Sequence, residues 1–291
     1  MTRNNKCHLS DMPIKVYTPD SSLHSPVIML KEMFFDLSAG RELALRLAVR
    51  DIRAQYRQAL LGVLWAFILP MANTAAWLFL SYSGIVKISS TTLPYPVYIF
   101  TGTMLWAIFM DALNAPLQRV DGARGMLAKL NFPREALIVS GIYQTIFNAF
   151  IKIALLLIVV FLFGIQPGMG MFFFPIGVLS IIMVGTALGL LITPIGILYT
   201  DIGKALPLLL QFLMYITPVV FPMPKEGWAA TLFNLNPLTP IILTSRDWLT
   251  GFSPDYLSSF IIVNCFAVFI LLASWIAYRL AMPILIERMS A

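Results

Sequence analysis

Six stretches of predominantly apolar residues divide the chain, and polar segments separate most of them. The stretches cover residues 60–82, 95–115, 136–163, 172–199, 205–221 and 256–282. A helix needs about 20 apolar residues to cross the hydrocarbon layer of a membrane. The fifth stretch, which contains Pro218, is the shortest. The pattern predicts an all-α integral membrane protein with six transmembrane helices in residues 60–282.

A different pattern precedes the first apolar stretch. At about 100° per residue, one stripe of a helix over residues 41–58 holds Leu45, Val49, Ile52 and Tyr56. A second stripe, about a quarter turn away, holds Arg46, Arg50, Arg53 and Arg57. Such a helix lies in the headgroup plane, with its apolar side toward the acyl chains and its guanidinium groups level with the phosphates. The sequence therefore predicts an amphipathic interface helix over residues 39–59, after an N-terminal tail of residues 1–38.

The distribution of Lys and Arg residues predicts the orientation of the chain in the membrane. The chain is 59% hydrophobic and only 12% charged, against about 25% charged in soluble domains. Sixteen of the 20 Lys and Arg residues lie in residues 1–59, in the segment after the second span, at position 204 or in residues 279–291, at the end of the last span and beyond it. By the positive-inside rule, both termini, including the tail of residues 283–291, are predicted to be cytoplasmic. The net charge of +6 thus reflects membrane topology and does not indicate a nucleic-acid-binding face.

Motifs for catalysis are missing from the sequence. There is no phosphate-binding loop of the Walker type, and no carboxylate pair or His cluster lies within the apolar spans. Both histidines, His8 and His24, belong to the N-terminal tail. We therefore expect no enzymatic activity, no metal site and no cofactor on this chain. An energy-driven transporter built from it requires its ATP on a separate subunit.

Four segments resemble the permeases of type-2 ABC exporters that move polysaccharides such as O-antigen, capsule and teichoic acid. They are RDIRAQYRQALLGVLWAFILP (50–70), YPVYIFTGTMLWAIFMDAL (95–113) with its loop to LAKLNFPREALIVS (127–140), YTDIGKALPLLLQFLMYITPVVFP (199–222) and NLNPLTPIILTSRDWLTG (234–251). They follow the order expected for this family and span most of residues 41–251. Residues 1–38 lie outside the resemblance.

The resemblance implies a six-helix subunit of a bacterial inner-membrane exporter. It implies a homodimer with two ATP-binding cassette subunits, which hold ATP and Mg²⁺, and a polysaccharide substrate linked to polyprenyl pyrophosphate. Residues 41–58 correspond to the interface helix of the family, and residues 222–256 to short re-entrant helices near the outer face. Residues 222–256 are also too apolar for a free loop of that length.

The segment 117–135 is implied to contain the coupling helix that docks on the ATPase. Its predicted helical core lies near residues 125–130, and its candidate docking residues are Arg124, Met126, Leu127, Lys129 and Leu130. The apolar members form a knob between charges, suited to a groove on a soluble partner. Without the resemblance, a solvated positive loop explains the segment equally well.

Aromatic side chains are candidates for a sugar-conducting path, because their faces stack weakly on sugar rings. The candidates in spans one, two and five are Trp65, Trp77, Phe79, Tyr82, Tyr98, Trp106, Phe109 and Tyr215. Some of them are equally compatible with the aromatic belts at membrane interfaces, and interior rings often serve packing alone.

Arg50, Arg53 and Arg57 are candidates to hold the pyrophosphate of the carrier, since guanidinium groups bind phosphate oxygens in bidentate fashion. Attraction to anionic lipid headgroups is the simpler explanation, at about 1 kcal/mol per side chain. Lys152 lies near the middle of the third span, where an unpaired charge facing lipid is costly. We expect a structural pair with Asp111, and a substrate contact is the alternative.

The sequence thus favours the permease of an ATP-driven polysaccharide exporter. A permease for a lipid or a small drug is the first alternative. A membrane protein of glycan assembly that transports nothing, whether a scaffold or an enzyme, is the second.

Overall fold

The structure is a computed structural model, and it describes residues 26–57, 64–85, 91, 93–127, 133–166, 168–224 and 226–290. Within them the chain forms the helices α1 (Pro26–Ala39), α2 (Arg41–Arg57), α3 (Trp65–Tyr82), α4 (Tyr95–Gly122), α5 (Arg124–Leu127), α6 (Glu135–Leu162), α7 (Phe174–Leu198), α8 (Thr200–Tyr215), α9 (Trp228–Leu235), α10 (Leu238–Thr250) and α11 (Leu257–Ser290). A 3-10 helix, Met169–Phe173, leads into α7. The all-α prediction holds for this part of the chain.

Four of the described helices are long and apolar enough to cross a membrane. They are α4, α6, α7 with its 3-10 turn, and α11. The predicted first and fifth spans correspond to α3 and α8, which have 18 and 16 residues. At 1.5 Å per residue α8 is about 24 Å long, less than the hydrocarbon thickness of about 30 Å. Residues 58–63, where the first span was predicted to begin, lie outside the described residues.

Two helices extend beyond their predicted spans. Helix α4 continues from the predicted end at residue 115 to Gly122, and α11 continues from residue 282 to Ser290. Val120 and Leu285, which lie in these extensions, are buried in one apolar cluster with Met33 of α1. Protein contacts rather than lipid therefore hold the ends of both helices. The predicted loop of residues 117–135 accordingly begins inside α4.

Helices α4 and α7 form the centre of the bundle and approach each other through small residues. A Cβ atom built on Gly185 would lie 2.7 Å from the Cβ of Ala112, and one on Gly189 would lie 2.2 Å from the carbonyl oxygen of Leu113. Small residues let helix backbones come this close within membranes. Helices α6 and α11 pack on the two sides of this pair.

The bundle has two dissimilar ends. The end that carries α1, α2 and α5 is called the basic end below, and α9 and α10 lie at the opposite end. At the basic end, Arg279 links α11 to α6 and α1. Its guanidinium lies 2.5 Å from Glu135 of α6, and 2.9 Å from Asp36 and 3.6 Å from Glu32 of α1. Helix α1, which carries the last two of these, falls within the segment that the sequence analysis treated as a tail.

The contact between α7 and α10 gives a stability prediction. Gly177→Ala would place its Cβ 2.5 Å from the Oγ of Ser245. We expect the free energy of unfolding to fall by about 1–2 kcal/mol, as is usual for overpacking, measured by thermal unfolding of the purified protein. The matched control is Gly203→Ala, whose Cβ meets nothing within 4 Å. Equal stability of the two variants would contradict this packing.

Candidate functional site

Helix α2 presents three different faces. Ala44, Leu47 and Ala48 are buried against the bundle. Leu45 and Val49 of the predicted apolar stripe are exposed from the protein, at 53% and 38%. The arginine stripe forms the third face. Exposed apolar side chains next to exposed arginines are the pattern of a helix that lies on a membrane surface, and this role for α2 stays a prediction.

The arginine stripe borders an open hollow of about 890 Å³. Its lining includes Arg46, Arg50, Arg53 and Arg57. Two of them have carboxylates nearby, since Arg46 lies 2.6 Å from Glu42 and Arg50 lies 2.7 Å from Asp51. We call this feature the arginine surface. Its guanidinium groups are placed to donate several charge-assisted hydrogen bonds to one phosphate-containing ligand.

Polar contacts attach α2 to three other helices. Asp51 forms an ion pair with Arg119 near the end of α4. The amide of Gln144 in α6 donates a hydrogen bond of 2.9 Å to Gln55. The Nη1 atom of Arg50 lies 4.0 Å from the sulfur of Met126 in α5. The arginine surface is therefore attached to α5, which contains predicted docking residues.

Behind α2 lies a polar cavity of about 620 Å³ between α2, α4 and α6. Asp111 lies at one end and Met126 at the other. Amides and a hydroxyl dominate its uncharged polar lining, which includes Gln55, Asn114, Gln118, Gln144, Thr145 and Asn148. The sequence analysis missed this cavity. The signal was nonetheless present, because Asp111, Asn114 and Gln118 recur at helical spacing along α4.

Asp111 and Lys152 meet at the inner end of the cavity. The Nζ atom of Lys152 lies 2.5 Å from the carboxylate of Asp111 and 3.3 Å from the carbonyl oxygen of Ala107. The structure thus brings together the two charges that were expected to pair. Both belong to helices long enough to span a membrane.

The candidate docking residues do not share one environment. Leu127 is buried in the apolar cluster of the basic end, so in this conformation it presents no surface to a partner. Its side chain instead fixes α5 to the bundle. Arg124 and Met126 are half-exposed, and Arg124 pairs with Asp121 at 2.7 Å. Lys129 and Leu130 lie outside the described residues.

The candidate channel aromatics also divide into two groups. Tyr98, Trp106 and Phe109 are buried within the subunit, so in this conformation they present no surface to a channel. Trp106 and Phe109 belong to the main apolar core, and Tyr98 packs against Arg246 of α10. Trp65, Phe79, Tyr82 and Tyr215 are exposed, and Trp77 is half-exposed.

Trp77 joins α3 to the region of α8. Its ring packs edge-to-face on Tyr215 at 6.3 Å and on Phe221 at 5.6 Å between centroids. Phe212 of α8, which the sequence analysis did not select, is 61% exposed. Exposed rings thus lie on both helices, and we call these five side chains the exposed aromatic surface: Trp65, Phe79 and Tyr82 of α3, and Phe212 and Tyr215 of α8.

A buried polar cluster at the opposite end was not predicted. The chain leaves helical structure after Tyr215, and the backbone of residues 217–220 is buried. Arg246 of α10, which is 1% exposed, donates a 3.0 Å hydrogen bond to the carbonyl of Val219. Its guanidinium also stacks on the ring of Tyr98, 3.8 Å from the centroid. Asn236 donates to the carbonyl of Ile216 at 3.2 Å.

These side chains donate hydrogen bonds to backbone carbonyls that lack a partner within a helix. Irregular backbone at membrane depth requires such partners, because no water is present there. The tyrosine hydroxyl of the cluster, that of Tyr98, lies 3.2 Å from the carbonyls of Pro218 and Phe221. Next to the cluster, burial raises the pKa of Asp247 to about 6, although Arg246 acts in the opposite direction. Arg246 had been counted only as a charge outside the membrane, and its position inside an apolar segment was the overlooked signal.

Comparison with known proteins identifies relatives for most of the chain. The family described as ABC-2 type transporter matches residues 42–247. The O-antigen export system permease protein RfbA of Myxococcus xanthus is 24% identical over 211 residues, 71% of this chain and 80% of that protein. The polysialic acid transport protein KpsM of Escherichia coli is 25% identical over 242 residues, 80% of this chain and 90% of that protein. RfbA of Klebsiella pneumoniae is 20% identical over 77% of this chain and 86% of that protein.

Proposed function

The chain belongs to the ABC-2 type transporter family, and from this premise we propose that it is the permease subunit of an ATP-driven polysaccharide exporter. The substrate class follows from the relatives, whose names assign O-antigen export and polysialic acid transport to them. The exporter moves its polymer from the cytoplasm across the bacterial inner membrane. Both termini of this chain lie in the cytoplasm, so the basic end faces the cytoplasm.

The working assembly contains two copies of this chain and two ATP-binding subunits. ATP and Mg²⁺ bind to those subunits, and this chain hydrolyses nothing. Six helices cross the membrane, with α3 and α8 as the first and fifth, while α2 lies at the interface. Helix α5 contacts the ATPase through Arg124 and Met126. Helices α9 and α10 form the re-entrant layer near the outer face.

The arginine surface is the feature that supports the proposal of a lipid-linked substrate. Three of its guanidinium groups, those of Arg50, Arg53 and Arg57, project from one face of α2 beside the exposed apolar stripe. A polyprenyl pyrophosphate has the matching chemistry, since its lipid tail lies in the membrane and its phosphates lie at the headgroup level. The polymer attached to it then follows a path between the two copies.

The exposed aromatic surface of α3 and α8 supplies that path. Rings that face a channel offer weak stacking contacts to successive sugars, so the polymer slides without being held. Buried Tyr98, Trp106 and Phe109 take no part. ATP-driven closure of the dimer pushes the polymer outward along these rings.

Loss of the arginine surface is expected to stop export. The triple variant Arg50→Gln, Arg53→Gln, Arg57→Gln should lower surface polysaccharide at least tenfold, because each charge-assisted hydrogen bond contributes about 1.5–3 kcal/mol. The measurement is the amount of polymer at the cell surface relative to polymer retained inside. Arg41→Gln is the matched control, an exposed arginine of the same helix outside the hollow. An equal effect of both changes would mean that α2 only binds lipid headgroups.

The partner is tested by affinity purification from native membranes with mass spectrometry. A stoichiometric protein with a Walker phosphate loop is the expected result. Recovery of the chain alone, or with glycosyltransferases only, would overturn the transport proposal and favour a role in glycan assembly. Deletion of the gene without loss of surface polysaccharide would overturn the substrate class and favour a lipid or small-drug permease.

A further inference from the structure

The polar cavity behind α2 has walls of mixed hydrogen-bonding character. Side-chain amides such as those of Asn114, Gln144 and Asn148 both donate and accept, and Thr145 adds a hydroxyl. Among the residues that line the cavity, two have a buried polar atom with no hydrogen-bond partner in the described part of the chain, the acceptor Oδ1 of Asn148 and the donor Nε of Arg119. Buried polar groups are normally paired. A ligand that offers both donors and acceptors matches a lining of amides and hydroxyls.

The charged residues that line the cavity are two arginines, Arg50 and Arg119, and two aspartates, Asp51 and Asp111. Arg50 and Arg119 face Asp51 at the basic end, and Lys152 pairs with Asp111 at the inner end. An anion would meet the two carboxylates, and a cation would meet the guanidinium groups. The lining therefore suits an uncharged ligand with many hydroxyl groups.

We propose that this cavity binds sugar residues of the polymer, those nearest to its lipid carrier, before the polymer enters the channel. This inference rests on the proposed function. The volume of about 620 Å³ falls within the range of about 300–1,000 Å³ typical of small-molecule sites. Along α4 the lining runs from Met110 to Gly122, which is about 18 Å at 1.5 Å per residue. An elongated cavity of this size accepts a short run of linked sugars.

The position of the cavity relative to the arginine surface supports this assignment. Arg50 and Ala54 line both the cavity and the hollow of the arginine surface. A pyrophosphate bound by the arginines therefore has its first sugar at the mouth of the cavity. One ligand then occupies both features, with its charged part outside and its hydroxyl groups inside.

Photo-crosslinking in living cells tests the occupant directly. The exporter carries Gln144→p-benzoylphenylalanine at the cavity wall or Phe150→p-benzoylphenylalanine on the exposed outer side of α6. The probe is the cell's own polymer, labelled by feeding tritiated monosaccharides. We expect at least tenfold more label on the tagged permease from the first variant. Equal labelling, or capture of phospholipid alone at position 144, would overturn the proposal.

A second variant separates ligand binding from folding. Asn148→Leu keeps a similar volume and removes the acceptor that has no partner. We expect unchanged or higher thermal stability together with about tenfold less surface polymer. If Asn148 had only a structural role, Asn148→Leu would lower the unfolding midpoint instead. Phe150→Leu is the control and should leave export unchanged.

The outcomes also separate this inference from the proposed function. If deletion of the gene leaves surface polysaccharide intact, the proposed function fails and the inference fails with it. If deletion abolishes surface polysaccharide while Asn148→Leu exports normally and position 144 captures no sugar, only the cavity assignment fails.

Discussion

Lys152→Met is expected to lower the free energy of unfolding by about 3 kcal/mol and to reduce the amount of folded permease in the membrane. The change leaves the carboxylate of Asp111 without the ammonium group that lies 2.5 Å away. Removing one member of a buried ion pair costs about 3–5 kcal/mol. The lower end applies here because the side chain of Asp111 is 33% exposed, toward the cavity. The measurement is thermal unfolding of the purified protein, together with its yield from membranes.

The double variant Asp111→Asn, Lys152→Met provides the decisive control. It removes both charges, so most of the lost stability should return, and the double-mutant cycle gives the coupling energy of the pair. Lys204→Met removes an exposed lysine of α8 and should have little effect. A double variant as unstable as Lys152→Met alone would show that the lysine stabilises the fold through contacts other than Asp111.

Gly102→Ala is expected to be at least as damaging, with a loss of about 3 kcal/mol or more. Its Cβ would lie 2.1 Å from the carbonyl oxygen of Val219 and 2.4 Å from Nη2 of Arg246. Both atoms belong to the buried polar cluster, where neither can move without breaking the hydrogen bond between them. Overpacking of this severity exceeds the usual cost of about 1–3 kcal/mol. Loss of export together with a lower unfolding midpoint is the expected result.

Two comparisons make this prediction specific. Gly203→Ala, at an exposed position of α8 where a Cβ meets nothing within 4 Å, should be neutral. Combining Gly102→Ala with Arg246→Met should not restore stability, because the carbonyl of Val219 remains in the way. Restoration by that combination would show that the guanidinium, rather than the backbone, limits the space at Gly102.

The sequence predicted the helices better than it predicted their surroundings. Long apolar stretches identify α4, α6, α7 and α11, because lipid and protein interior favour the same residues. For that reason hydropathy did not distinguish exposed Tyr82 from buried Trp106. The side of a helix that faces protein depends on its neighbours, and a single sequence does not state them.

Part of the candidate site was predicted from the sequence, and part of it was not. The stripe of arginines followed from helical periodicity, since all its members lie on one helix. Arg246 and the polar cavity depend on contacts between helices that are far apart in sequence, such as those of Tyr98 with Arg246 and of Gln55 with Gln144. Periodicity within one helix shows a polar stripe such as Asp111, Asn114 and Gln118 of α4, but it does not show which helices pack against that stripe.

The contacts that attach α2 to α4, α5 and α6 have a thermodynamic consequence. Arg50 touches Met126 and Asp51 pairs with Arg119, so these contacts offer a route by which a displacement of α5 would reach the guanidinium groups of α2. Linkage requires the same coupling in both directions. If an ATPase bound at α5 changes the affinity of the arginines for pyrophosphate by some factor, then pyrophosphate changes the affinity of the ATPase by that factor. Under that condition, a permease that carries its cargo would differ from an empty one in its affinity for the ATPase. The ATPase would then respond to bound polymer without contacting it.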